Sequence, residues 1–142
     1  MMAAASIPEA FRDLIDGPFI AVLTTILPDG SPHTTPVWCN RDGEYVLINT
    51  MRGFRKTKNM RQNPRVTLLA YDLKNPTRNI EIRGTVAEMT EEHAVEHLDR
   101  LTRLYMNKPD ATFFGDCVPV DLQATQHPVK VRILPTHVRT EG

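Results

Sequence analysis

Residues 19–50, FIAVLTTILPDGSPHTTPVWCNRDGEYVLINT, decide the fold because they alternate apolar stretches with clusters of turn residues. The apolar run at 19–25 predicts a buried strand. Leu-Pro-Asp-Gly at 27–30 predicts the tight turn that ends this strand. A β-rich fold is therefore expected from this region onward.

Two more strands follow within the same stretch. The first is predicted at 32–39, where Pro36 indicates an edge strand or a bulge because proline has no N–H to donate. The polar residues 40–43 predict the next turn, and residues 44–50 predict the following strand. Three strands joined by tight turns predict an antiparallel meander.

The rest of the chain adds three strands and three helices. The strands are predicted at 66–72, 79–89 and 129–138, and the helices at the start of the chain, near 54–62 and at 91–106. Ser6 and Glu9 have the spacing of a helix-capping box, and Gly17 supplies a stop. Thr90 is expected to cap the longest helix, and Gly84 predicts a bend or bulge in the long strand. Six strands that do not alternate with helices indicate a mostly-β, α+β or barrel fold.

Charge is distributed unevenly along the 142 residues, a length that favours a single domain over 1–142. The net charge is zero, which argues against general attraction to nucleic acid or membrane. Residues 52–65, the basic segment, nevertheless hold six of the 17 basic side chains and no acidic one. A basic segment on an otherwise acidic chain predicts an anionic partner of limited size.

Cysteine use and the start of the chain bear on the cellular compartment. Cys39 and Cys117 are the only cysteines and are expected to be reduced thiols. Residues 1–10 lack the basic and apolar regions of a signal peptide, and no apolar run approaches the roughly 18 residues of a membrane span. We therefore expect a cytoplasmic protein.

Several kinds of site are disfavoured by the sequence. His93 and His97 with Glu96 match the H-x-x-E-H spacing of a zinc site, but no third ligand is evident. Both histidines are instead expected at a solvated helix edge, and no metal is predicted. The chain also lacks the G-x-S-x-G, G-x-G-x-x-G and P-loop motifs, which disfavours a serine hydrolase and a nucleotide-binding glycine loop.

The basic segment itself has three interpretations. Thr50, Arg55 and Lys56 can hold an anion at the start of the following helix, with Lys58 and Asn59 extending the contact. The charge run taken alone favours a solvated basic helix. A nucleic-acid surface would need interleaved aromatic residues, and Phe54 is the only aromatic residue in the segment.

A family resemblance favours the first interpretation. The stretches LTTILPDGSPHTTPVW (23–38), LINTMRGFRKTKNMRQNPRVTLL (47–69) and RNIEIRGTVAEM (78–89) resemble the pyridoxamine-phosphate-oxidase-like split β-barrel proteins. Within that group the chain is most similar to the flavin/deazaflavin oxidoreductases of the B group, small enzymes that use coenzyme F-420. The resemblance covers about residues 8–140 and implies a six-stranded antiparallel split β-barrel with flanking helices, which forms a homodimer with cofactor at the subunit interface.

The resemblance also implies which residues bind the cofactor. Residues His33 to Val37 would run along its ring, Asn49 and Thr50 would lie between ring and phosphate, and Arg55 and Lys56 would grip the phosphate with Asn59 nearby. Arg78, Asn79 and Glu81 would approach from the same or the partner subunit. The cofactor-binding residues expected in this way, with Lys58 as an extension, are His33, Thr34, Thr35, Pro36, Val37, Asn49, Thr50, Arg55, Lys56, Lys58, Asn59, Arg78, Asn79 and Glu81.

The cofactor and reaction follow from the same resemblance. FMN needs little more than a clamp for one phosphate, whereas F-420 carries a phosphodiester and an anionic oligoglutamate tail. The longer cationic track favours F-420, with FMN as the alternative. The implied reaction is hydride transfer to a small conjugated substrate; a non-catalytic carrier of the cofactor is the other alternative. No residue is identified as an obligatory acid or base, and the loop at 108–127 is a candidate for shaping the substrate pocket.

Overall fold

Seven strands form one antiparallel sheet in the computed structural model, which describes residues 4–142. Residues 1–3, which begin the segment 1–10 where no signal peptide is predicted, lie outside the described residues. In chain order the strands are β1 (Ala21–Ile26), β2 (Pro32–Val37), β3 (Cys39–Asp42), β4 (Tyr45–Met51), β5 (Arg65–Tyr71), β6 (Asn79–Thr90) and β7 (Pro128–Glu141). The helices are α1 (Asp13–Asp16), α2 (Arg55–Gln62) and α3 (Ala94–Met106), and short helical turns lie at Glu9–Phe11, Phe113–Cys117 and Val120–Ala124.

The expectation of six strands is wrong by one. Cys39–Asp42 was assigned to the end of a strand and a turn, but it forms β3, which pairs with β4 from Cys39↔Ile48 to Asp42↔Tyr45. Only two residues join these strands, and Gly43 takes a φ of 59°, the left-handed conformation that such tight hairpins require. A polar edge strand carries little apolar alternation, so the sequence pattern resembles that of a turn.

The predicted meander is also wrong. The strand order is β2-β1-β5-β6-β7-β4-β3, so β2 pairs with β1 alone and β4 lies at the other side of the sheet. The chain leaves β2 at Trp38 and starts a new hairpin instead of folding back on β2. The expectation from Pro36 is confirmed, because β2 is an edge strand.

The two longest strands join the halves of the sheet and curl it into a half-barrel. β6 pairs with β5 along its first half and with β7 along nearly its whole length. The predicted irregularity at Gly84 is confirmed by a register shift between Arg83 and Gly84. A Cβ at Gly84 would lie 2.6 Å from the carbonyl oxygen of Leu134 and 2.9 Å from Cγ2 of Ile133. Only glycine allows the two backbones to approach this closely.

The concave side of the sheet encloses the main hydrophobic core. Leu23, Ile48, Leu68, Ile82 and Ile133 each come from a different strand and are at most 1% exposed. Burying a side chain of this size contributes about 1.5–3 kcal/mol relative to leaving it in water. Because alternate residues of a strand point to the same face, each of these strands can direct its apolar side chains into this one core.

The helix boundaries differ in detail from those expected. No capping box forms at Ser6 and Glu9, because the first helical turn begins after Pro8 without a side-chain cap. α3 begins at Ala94 instead of residue 91, and Thr90 Oγ1 accepts a hydrogen bond from the Glu92 N–H at 3.0 Å. His93, the residue before α3, has a φ of 59°, a left-handed conformation, so the helix begins only at Ala94. Thr90 thus organises the turn before α3 and does not cap the helix.

Tyr105 of α3 fixes the break between β2 and β3. Its hydroxyl donates to the Phe19 carbonyl oxygen at 2.7 Å and accepts from the Cys39 N–H at 3.0 Å. The Cys39 thiol is buried, and this burial raises its pKa to about 12. Cys117 is exposed and both cysteines are free, as expected. No helix among residues 4–142 is long and apolar enough to cross a membrane.

His97 docks α3 onto β3 and β4. The solvated edge expected for the two histidines fits His93, whose side chain is 67% exposed, but is wrong for His97, which is 4% exposed. The Asn49 amide donates to His97 Nδ1 at 3.1 Å and to the Ala94 carbonyl oxygen at 3.0 Å. Burial, reinforced by nearby Lys130, Arg100 and Arg132, lowers the pKa of His97 to about 4.

Replacing Gly84 with Ala is expected to destabilise the fold. The added Cβ would overlap the Leu134 carbonyl oxygen on the paired strand, which cannot move without breaking the β6–β7 ladder. We expect a loss of about 1–3 kcal/mol, measured by urea unfolding. Ala87→Ser, one heavy atom added at an exposed position of the same strand, is the control. Equal stability of Gly84→Ala and wild type would contradict the close approach.

The buried His97 predicts a pH-dependent stability. Its pKa is about 6.5 in the unfolded chain and about 4 when folded, so the unfolded state binds the proton first as the pH falls. The stabilisation is complete above about pH 6.5 and is lost towards pH 4, a change on the order of 3 kcal/mol. His97→Gln should flatten this part of the urea-unfolding profile, and His93→Gln should not. Parallel profiles for wild type and His97→Gln would refute the assignment.

Candidate functional site

A largely apolar cavity of about 320 Å³, here called the main cavity, lies between β2, β4 and the first turn of α2 on one side and α3 on the other. Its residues are Ile20, Pro36, Val37, Trp38, Asn49, Thr50, Met51, Phe54, Lys56, Leu98, Leu101 and Phe113. Apolar cavities with few polar groups are the usual binding sites of small molecules. The main cavity is therefore the leading candidate for a ligand site.

Aromatic side chains form one wall of the main cavity. Trp38 stacks on Tyr105 with ring centroids 5.1 Å apart and an interplanar angle of 15°. Phe113 meets Trp38 edge-on at 6.5 Å, and its N–H donates to Asp99 Oδ1 at 2.8 Å, which ties the segment after α3 to that helix. Phe54, 47% exposed, completes the aromatic lining on the side of α2. The wall suits a flat ring.

Among the described residues, Lys56 is the only one with a charged side chain that lines the main cavity. It is half-buried, and its Nζ donates to Thr35 Oγ1 at 3.1 Å. No carboxylate within residues 4–142 forms an ion pair with it. Burial without a counter-ion lowers the pKa of Lys56. A bound anion at this position would compensate the desolvated charge.

The first turn of α2 adds further positive potential beside Lys56. Phe54 is the N-cap residue and provides no side-chain cap, so the first N–H groups of the helix lack the oxygen partner that a capping residue supplies. Arg55 and Lys58 are exposed on this turn, and no acidic residue lies there. Helix N-termini with free N–H groups and cations favour anions. Of the predicted clamp, Lys56 thus lines the main cavity, whereas Arg55 is next to it in the chain and does not line the cavity.

Asn59 and Thr50 have mainly structural contacts. Asn59 is fully buried, accepts from Arg55 Nε at 2.9 Å and donates to Thr25 Oγ1 at 3.0 Å, which fastens α2 to β1. Thr57 Oγ1 donates to the Met51 carbonyl oxygen at 2.6 Å and lies 2.9 Å from Thr50 Oγ1. Asn59 and Thr50 thus hold the start of α2 against the sheet. Contact of either residue with a cofactor stays a prediction.

Asn49 brings an unsatisfied acceptor to the main cavity. Both hydrogens of its amide nitrogen are used, one by Ala94 and one by His97. Its Oδ1 is buried and has no hydrogen-bond partner among the described residues. Leaving a buried acceptor unpaired costs about 1–3 kcal/mol, so a ligand donor at this position would recover part of that cost.

The predicted residues of β2 divide between the main cavity and the strand pairing. Pro36 and Val37 line the cavity, and Thr35 reaches it through Lys56. Thr34 Oγ1 lies 3.0 Å from Thr24 Oγ1 on the exposed face of the β1–β2 pair. His33 lies near the start of the strand, with a buried Nδ1 that has no partner among residues 4–142. The end of β2 thus lies at the main cavity, and its beginning does not line it.

Three predicted residues lie away from the main cavity within this chain. Arg78 pairs with Asp13 at 2.6 and 3.0 Å and covers the Phe11 ring at 5.2 Å. Asn79 donates to Glu141 Oε1 at 3.0 Å, and Glu81 lies 3.6 Å from the guanidinium of Arg139. These contacts tie the start of β6 to neighbouring elements. Their contact with a cofactor, from either subunit, stays a prediction.

Sequence reasoning missed the aromatic wall. Trp38 was placed inside a strand, and Phe113 belongs to the 108–127 stretch that showed no motif. They meet only because α3 returns the chain to the sheet. Among residues 4–142, no three His, Cys, Asp or Glu side chains are arranged to hold a metal ion.

Comparison with known proteins identifies the family. The family model for pyridoxamine 5'-phosphate oxidase matches residues 7–127. No curated protein matches the chain. Among solved structures, an F420 reductase is 26% identical with a TM-score of 0.78, covering 94% of this chain and 98% of that one. A conserved hypothetical protein from Mycobacterium tuberculosis is 27% identical with a TM-score of 0.69, covering 98% and 87%.

A third structure shares the fold alone. A putative pyridoxamine 5'-phosphate oxidase from Listeria innocua is 24% identical with a TM-score of 0.59, covering 85% of this chain and 86% of that one. The family model covers far more than half of the residues, which confirms the resemblance seen in the sequence. The chain therefore belongs to the pyridoxamine 5'-phosphate oxidase family.

Proposed function

We propose that the protein is an oxidoreductase that binds coenzyme F-420 in the main cavity and reduces a small conjugated substrate. The observation that carries the proposal is the half-buried Lys56 ammonium. It lines a cavity that is otherwise largely apolar, and no acidic side chain among residues 4–142 pairs with it. When bound, the reduced deazaflavin supplies the hydride for an electron-poor C=C or C=N bond. The chain itself binds and orients the reactants.

The residues of the main cavity fit a flat ring with an anionic tail. Trp38 and Phe113 offer apolar surface to a ring, and Asn49 Oδ1 offers an acceptor to a polar ring edge. Arg55, Lys56 and the free N–H groups of α2 would hold a phosphate. An anion beside Lys56 would restore the charged form that burial disfavours.

F-420 is preferred to FMN for two reasons. Lys58 extends the cationic surface by one helical turn beyond Arg55, which suits a longer polyanion more than a single phosphate. The similar solved structure at 26% identity is described as an F420 reductase. FMN remains the alternative because the family model is that of pyridoxamine 5'-phosphate oxidase and an Arg-Lys clamp also suits a monophosphate.

The proton that completes the reduction is assigned to solvent or to a polar group near the reacting bond. The buried hydroxyl of Tyr105 and the thiol of Cys39 have raised pKa values and serve structural hydrogen bonds, so neither is a suitable acid. Ile20 and Phe54, each about half exposed at 50% and 47%, leave the mouth of the main cavity open to water. The homodimer implied by the resemblance, with the cofactor at the subunit interface, belongs to the same proposal.

Removing the clamp should abolish cofactor binding. In Arg55→Ala/Lys56→Ala, each lost charge-assisted hydrogen bond should cost about tenfold or more in affinity for both F-420 and FMN. Fluorescence titration of purified protein with the two cofactors, side by side, measures this. Arg61→Ala/Arg65→Ala removes two exposed charges from the same basic segment and should bind like wild type. Unchanged affinity in the first double variant would refute the site.

Lys58 should distinguish the two cofactors. Lys58→Ala is expected to weaken F-420 by about threefold or more, with the difference shrinking at high salt, because an exposed charge acts through a screened interaction. FMN affinity should be unchanged. Absorbance at the deazaflavin band, followed with an electron-poor enone, tests turnover in the wild type. Failure to bind F-420 while FMN binds tightly would move the assignment to the FMN alternative.

Binding without turnover with any acceptor would support the carrier alternative. Protein that binds neither cofactor at micromolar concentration would contradict both versions of the proposal. Together, the titration and the turnover assay separate the reductase, the FMN protein and the carrier.

A further inference from the structure

We infer that His97 is a positioning residue, which orients the Asn49 carboxamide so that Oδ1 receives a ring N–H of the ligand in the main cavity. The inference rests on the proposed function and adds the chemical group that is recognised. The ligand class is a planar heterocycle with a hydrogen-bond donor in its ring, a feature that flavins and deazaflavins share.

The hydrogen bonds around His97 allow one arrangement of protons. The Ala94 carbonyl can only accept, so the Asn49 nitrogen must face it at 3.0 Å. The second amide hydrogen then points to His97 Nδ1 at 3.1 Å, which must be unprotonated. The proton of the neutral ring therefore lies on Nε2, which donates to Asn40 Oδ1 at 2.9 Å.

This arrangement leaves Asn49 Oδ1 as the atom in need of a donor. Turning the carboxamide by 180° would place Oδ1 against the Ala94 carbonyl and the Nδ1 lone pair, both of which repel it. Oδ1 is shielded from water and has no partner among residues 4–142. Since Asn49 lines the main cavity, a molecule bound in that cavity lies beside this residue and is a source of the missing donor.

The other polar side chains of the main cavity already have hydrogen-bond partners. Lys56 has only donors, and its Nζ already contacts Thr35. Thr57 donates to the Met51 carbonyl, so the Thr50 hydroxyl uses its own hydrogen towards Thr57. Asn49 Oδ1 and Thr50 Oγ1 are thus the side-chain acceptors of the cavity, and only Asn49 Oδ1 lacks a hydrogen-bond partner among residues 4–142.

His97 acts through Asn49 and does not itself line the main cavity. It lies on α3 at the far side of Asn49, between that residue and Asn40 of β3. A side chain of similar size without an acceptor would free the second amide hydrogen and the rotation of the carboxamide. The site would then lose its preference for a ligand donor while the apolar walls stay in place.

The test compares FMN with FMN methylated on its ring N–H, and uses binding as the readout. Wild type should bind FMN about tenfold or more tightly than the methylated form, since the analogue leaves Oδ1 unpaired. Asn49→Ala and His97→Leu should reduce this ratio towards one. His97→Gln, which can accept from Asn49 and donate to Asn40, should restore it, and His93→Leu at the exposed histidine should leave it unchanged.

Asn40→Leu provides a second route if His97→Leu does not fold. It removes the acceptor that holds the proton on Nε2, so the ratio should again fall. If wild type binds neither FMN nor F-420, the proposed function fails and the inference falls with it. If wild type binds FMN but the ratio is the same in His97→Leu or Asn40→Leu, the inference alone is overturned.

Discussion

The pairing of β6 with β7 is the constraint on which the site depends. These strands lie between the group β2-β1-β5 and the group β4-β3, so every contact between the two groups is set by how this pair bends. Gly84 lets the backbones approach at the bend. The main cavity takes Pro36 from β2 and Asn49 from β4, which are separated by four strands in the sheet order. Only a curled sheet can bring them to one cavity.

Within this frame, α2 and α3 supply different parts of the site. α2 is anchored through buried Asn59, which donates to Thr25 of β1 and also accepts from Arg55, while Lys58 stays exposed. α3 is anchored through His97, and the cost of burying that polar ring is met by two hydrogen bonds and a neutral charge state. Rigid anchoring of both helices keeps the cavity between them open. The shape of the main cavity therefore depends on Asn59 and His97, which do not line it.

Local signals in the sequence were sufficient for most strands and for the helix near 54–62, and the cationic clamp stays a prediction. The apolar run at 19–25 and the turn at 27–30 predicted β1 and the reversal into β2, and the predicted helix near 54–62 corresponds to α2. The polar β3 was missed because edge strands need no apolar alternation. The pairing of β4 with β7 was missed because turn residues reveal a reversal of the chain but not its final partner. His97 was misplaced because His93 adopts a left-handed conformation, so the two histidines do not share a helical face.

The positions of the prolines have a consequence for how copies of the chain can meet. β2 forms one edge of the sheet and contains Pro32 and Pro36, which offer no N–H to an approaching strand. The opposite edge, β3, is only four residues long and contains the ion-paired Arg41 and Asp42. Both edges thus resist extension of the sheet by another molecule, a common protection against fibril-like stacking. Association between copies is left to the faces of the sheet and to the helices.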